Sequence, residues 1–124
     1  GVLGGKSTGV FQGKVRVAPD AQKTDGQQMS RAILLSENAI ANAKPELEIY
    51  ADDVICAHGA TFGEIDDEQL FYLKSRGISE KNAKQILITA FLKDIINESV
   101  EKSIQNFVFE EAKLALSEII SKET

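Results

Sequence analysis

The hydrophobic pattern changes its period once, near Phe62, and this change restricts the fold more than any other feature of the chain. Between residues 2 and 60 the apolar residues come in short bursts: Val10-Phe11, Val15 and Val17, Ala32 through Leu35, Leu47 and Ile49, then Val54-Ile55. Val15/Val17 and Leu47/Ile49 keep the two-residue period of half-buried strands. Gly9, Gly13, Pro19-Asp20, Asp25-Gly26, Ser36-Glu37-Asn38, Lys44-Pro45 and Asp52-Asp53 supply turn-forming punctuation between the bursts. After Phe62 helical spacing takes over. The sequence therefore reads as mainly β followed by α, with a β region over 1–63 and a helical region over 64–124.

Bursts centred on Val15, Ile33 and Ile49 recur roughly every 16 to 18 residues. That spacing suits the hairpins of a small antiparallel sheet, and equally the coils of a β-helix in which each coil covers its neighbour's core. Spacing alone leaves both open.

In the second half, Asp66 is placed to cap a helix, with Gln69 completing a capping box, and Gly77 to end it where a left-handed cap conformation is inexpensive. Ser79 caps the next helix, whose apolar stripe is Ala83, Ile86, Leu87, Ala90, Phe91 and Ile95. A third stripe follows through Val100, Ile104, Phe107, Val108, Ala112, Ala115 and Ile119. Asn97 and Ser99 either separate these two helices or lie within one long rod. Residues 121–124 are expected to fray.

At 124 residues, with 43% hydrophobic and 27% charged content, the chain fits one folded domain and lacks a disordered composition. A formal charge of −5 leaves no basic stripe for phosphates, which argues against nucleic acid. No apolar run approaches the roughly 20 residues that cross a bilayer, so no membrane association is expected. One cysteine makes no intramolecular disulfide, in keeping with a reducing, cytoplasmic setting. Because the chain begins at Gly1 and its only methionine is Met29, it is expected to be a fragment of a longer protein.

The only cysteine and the only histidine, Cys56 and His58, lie one residue apart. On an extended strand they project from one face, with an axial spacing of about 6.5 to 7 Å. Thiolate and neutral imidazole both suit iron, yet a cluster needs about four ligands. Asp52, Asp53 and Glu64 are the nearest carboxylates. In a structural reading, Cys56 simply packs as a small hydrophobe and His58 sits satisfied at an interface or core. A cysteine nucleophile activated by imidazole lacks an orienting third group and an oxyanion site. Gly4-Gly5-Lys6-Ser7-Thr8 lacks the spacing of a phosphate loop, and Asp66, Asp67 and Glu68 read as a helix start.

The ordered series "AQKTDGQQMS", "RAILLS", "KPELEIYADDVICAHGATFG" and "DDEQLFYLKSRGI" resembles the C-terminal region of the SufD branch of the SufB/SufD family, which serves SUF iron–sulfur cluster assembly. Gly59 after His58 is similar to that branch rather than to SufB, which carries a glutamate there. The resemblance implies the terminal coils of a right-handed parallel β-helix with a C-terminal helical region, in which Leu70, Phe71 and Leu73 cover the end of the β-helix. It implies a non-enzymatic scaffold subunit that pairs with SufB and engages the SufC ATPase through its helices. It also implies that Cys56 and His58 contact iron or a nascent iron–sulfur cluster, held transiently and shared with SufB, with none stably bound to the fragment alone. The competing expectation is a metal-independent interaction module. An exposed strand edge would favour a homodimer of the isolated fragment.

Overall fold

A computed structural model describes residues 1–122, with side chains described as far as residue 119. Five strands precede three helices: β1 (Val2–Leu3), β2 (Thr8–Val17), β3 (Asp25–Leu34), β4 (Ile40–Ile49), β5 (Ile55–Glu64), α1 (Asp67–Ser75), α2 (Glu80–Ser99) and α3 (Gln105–Lys122). They divide into two compact units, one spanning Leu3–Gly63 and one that gathers the helices from Glu64 onward.

In the first unit successive strands alternate between two sheets. One has the order β1-β3-β5, and the other pairs β2 with β4. The β2–β4 pairing is parallel, in register from Thr8 opposite Ile40 to Val17 opposite Ile49. This corrects the expected right-handed β-helix: the strands lie in a three-stranded and a two-stranded sheet, and no solenoid is shown among the described residues. The hairpin alternative fails too, because sequence neighbours occupy different sheets. The physical reason is that the burst spacing measures the interval between consecutive strands, whereas the hydrogen-bonded partner of β2 lies two bursts away. Alternating burial fixes the face of a strand and says nothing of its neighbour.

The four long strands are 10 residues each, longer than the apolar bursts. Gly9 and Gly13 fall inside β2, Gly26 inside β3 and Lys44-Pro45 inside β4, so residues expected to punctuate turns are strand residues instead. The glycines give clearance. A Cβ at Gly9 would lie 2.9 Å from the Leu3 side chain, and one at Gly13 would collide with the amide of Gln28. Val17, Ile33, Ala39 and Ala51 are buried in this unit. Lys14 of β2 lies 3.9 Å from its register partner Glu46 and reaches Glu48, two residues further along β4, at 2.6 Å.

The loop before β3 is tied to the loop before β5. The Lys23 N–H donates to the Asp53 carbonyl at 2.6 Å, the Asp53 N–H donates to Gln22 Oε1 at 2.9 Å, and the Ile55 N–H donates to the Thr24 carbonyl at 2.9 Å. Lys23 also pairs its ammonium with the Asp53 carboxylate. Its φ of 65° lies in the left-handed region, uncommon for a residue with a side chain. These bonds hold that backbone and fix where β5 starts, one residue before Cys56.

The helical unit begins as cap chemistry dictates. Asp66 accepts from the Gln69 N–H at 2.9 Å, α1 ends with Arg76 at its C-cap, and Gly77 follows at φ 85°. Ser79 accepts from the Asn82 N–H at 3.3 Å to open α2. Separate helices, rather than one rod, follow: α2 ends at Ser99, and Gln105 Nε2 turns back to the Val100 carbonyl at 2.9 Å as α3 starts. Inside, the faces differ from the expected stripes. Ala83, Ile88 and Ile96 are buried on α2 and Leu116 on α3, whereas Ile86, Phe107 and Leu114 are exposed. Phe71, expected to cover apolar surface, is 73% exposed. Of the residues expected to fray, 121 and 122 belong to α3, and 123 and 124 lie outside the described residues. No helix is long and apolar enough to cross a membrane among the described residues.

Candidate functional site

Cys56 and His58 both lie on β5, two positions apart, and so share a face of that strand. Their surroundings differ. Cys56 is a free, half-buried thiol facing Gly26 of the neighbouring β3, where an added Cβ would lie 3.5 Å from its sulfur and 3.8 Å from Val15. A methyl group at position 26 would therefore meet the thiol at ordinary van der Waals contact. His58 is exposed, and its Nδ1 lies 3.0 Å from the Pro45 carbonyl oxygen of β4, a strand of the other sheet.

Next to His58, Gly59 keeps the chain low enough for Met29 of β3 to lie across it: an added Cβ would sit 2.9 Å from the Met29 methyl and 3.2 Å from its sulfur. The adjacent charges are engaged elsewhere. Lys14 donates to Glu48 at 2.6 Å, and this bond raises the lysine above its ordinary pKa. Lys44 sits 3.0 Å from Glu46 and holds that carboxyl below the usual range. Arg16 lies over the Tyr50 ring at 5.5 Å. Asp53 is committed to Lys23.

The carboxylates suggested as additional ligands are not gathered with the pair. Among the described residues, no group of three or more His, Cys, Asp or Glu side chains could hold a metal ion. The chain therefore offers one sulfur and one nitrogen donor on a strand, half of the roughly four ligands that an iron–sulfur cluster takes. The Gly4–Lys6 turn that superficially resembles a phosphate loop joins β1 to β2 and opens no helix, so it lacks the amide-lined helix start that cradles phosphate.

Sequence reasoning singled out the two side chains and missed three features around them: Gly26 beside the thiol, Met29 across Gly59, and the Pro45 carbonyl on the imidazole. The first two carry a faint signal, as small or flexible residues within strands. A backbone carbonyl carries none.

Comparison with known proteins places these features in context. Residues 1–91 match the family model described as "SUF system FeS cluster assembly, SufBD core domain". The chain is 50% identical over 94 residues to the iron-sulfur cluster assembly protein SufD of Escherichia coli, a match covering 76% of this chain and 22% of that protein. It is 45% identical over 96 residues to an iron-sulfur cluster assembly SufBD family protein of Synechocystis, covering 77% and 21%. To SufD of Bacillus subtilis it is 39% identical over 98 residues, covering 79% and 22%. The chain thus spans about a fifth of the length of these relatives.

Proposed function

Because this chain belongs to the SufBD core family of SUF iron–sulfur cluster assembly, with SufD-type relatives, we propose that it acts as a non-enzymatic scaffold subunit. In this reading its β unit pairs with SufB, its helices engage the SufC ATPase, and iron or a nascent cluster is the cargo. Cys56 and His58 contact that cargo transiently while SufB supplies the remaining ligands. The setting is cytoplasmic, where a free thiol stays reduced.

The observation that carries the reading is the incomplete donor set: a half-buried thiol and an exposed imidazole on one face of β5, with no third ligand gathered beside them among the described residues. Thiolate and imidazole are the donors iron–sulfur chemistry uses. An exposed imidazole is also reachable by a cluster that a second chain helps to hold.

The test reconstitutes the complex of the full-length subunit with SufB and SufC, using wild type or His58→Ala. Iron and acid-labile sulfide are measured alongside size-exclusion elution. The expected outcome is a several-fold fall in both, in a complex of unchanged size. Unchanged iron and sulfide would remove His58 from the cluster site, and a complex that fails to form would give the residue a structural role.

A further inference from the structure

The His58 ring is held by one nitrogen. Nδ1 lies 3.0 Å from the Pro45 carbonyl oxygen. A carbonyl accepts and cannot donate, so the hydrogen in this bond sits on Nδ1. A neutral imidazole with its hydrogen on Nδ1 has its lone pair on Nε2. We propose that the Pro45 carbonyl selects the Nδ1–H tautomer of His58 and so makes Nε2 the nitrogen this chain offers to a metal. The second clause rests on the metal-holding reading above; the first stands on the geometry alone.

Three observations build the device. The acceptor lies on β4 while His58 lies on β5, in the other sheet, so the bond is not part of β5's own ladder. Pro45 sits inside β4, opposite Gly13 of β2, and the register from Ile40 to Ile49 holds its backbone in place. Its ring also fixes φ, which removes one freedom from the peptide that carries the acceptor. Finally, His58 is exposed, so a nitrogen not spent on the carbonyl is open to a ligand from outside.

The consequence is directional. An unconstrained histidine side chain in water prefers its hydrogen on Nε2, which would leave Nδ1, the nitrogen nearer the backbone, as the donor. Hydrogen bonding of one ring nitrogen to a backbone carbonyl fixes the tautomer and orientation of a ligating histidine and raises the basicity of the other nitrogen. Pro45 is accordingly a positioning residue, acting through His58.

The tautomer is read directly by long-range proton–nitrogen correlation on the full, nitrogen-15-labelled chain, at a pH where the ring is neutral, with a urea-unfolded sample as reference. The expected result is a protonated Nδ1 and a bare Nε2 in the folded chain, with the preference reversed on unfolding. Added Zn²⁺, a diamagnetic probe, is expected to shift Nε2 and leave Nδ1 protonated. A folded chain carrying the hydrogen on Nε2, or a Zn²⁺ response at Nδ1, overturns the proposal. An Nδ1–H ring whose Nε2 ignores Zn²⁺, in the chain and in the reconstituted complex alike, supports the tautomer selection and counts against the metal-holding reading instead.

Discussion

Gln28 on β3 carries the one buried side-chain polar atom without a partner among the described residues, its Oε1. The amide of the same side chain occupies the space that a Cβ at Gly13 would need, and Phe11 Cζ lies 2.8 Å from that position. Burying an unsatisfied acceptor costs about 1–3 kcal/mol. Gln28→Met keeps the length and removes the acceptor, so it is expected to raise the urea midpoint, worth about 1 kcal/mol. Gly13→Ala is expected to lower it by about 1–3 kcal/mol through overpacking. Adding Gln28→Ala should recover much of that loss, a coupling that separate single-site effects do not give. At this scale the sequence was read in part. Gly13 stood out as a glycine and was assigned to a turn, because composition cannot distinguish a residue that bends the chain from one that clears space for a facing side chain. Cys56 and His58 stood out because each is the only residue of its kind.

Among the elements, the junction of α1 and α2 is held by Glu80, which receives Lys74 at 2.8 Å and Lys84 at 2.9 Å. These two ammonium groups lower its pKa from 4.5 to about 2. A depressed carboxyl contributes stability that is fully present above its unfolded pKa and is lost as pH falls through the folded value. The helical signal followed by circular dichroism is therefore expected to lose thermal stability between about pH 4.5 and pH 2, and Glu80→Gln to flatten that part of the profile. An unchanged profile in the variant would remove this carboxylate from the junction's stability. Both ends of α1 and the start of α2 were legible from Asp66, Gly77 and Ser79, since capping is local chemistry; the end of α2 was not. The inward faces were not. α2 carries isoleucine or leucine at all six of positions 86, 87, 88, 92, 95 and 96, so its apolar residues wrap most of the helix, and only packing selects Ile88 and Ile96 over Ile86.

For the molecule as a whole, the balance is between a net charge of −5 and a surface that leaves Val10, Ile55, Phe71, Phe107 and Leu114 more than half exposed. Repulsion between like-charged copies vanishes near the isoelectric point of about 4.9. Light scattering is expected to rise sharply near that pH and to fall toward neutrality. Scattering independent of pH would mean that charge does not limit association. Strands before helices could be read from the one change of hydrophobic period. The division of the strands into two sheets could not, because it depends on partners far apart in the chain, and neither propensity nor burial period encodes such pairs.

The parallel register of β2 with β4 also fixes an order in time. Thr8 meets Ile40, 32 residues later, with β3 and two loops between them. Contacts of this separation form slowly, since the intervening chain must be ordered before they return any stability. During synthesis, a ribosome that has not yet released residue 40 holds a β2 whose partner β4 has not emerged, so this parallel pairing waits for it.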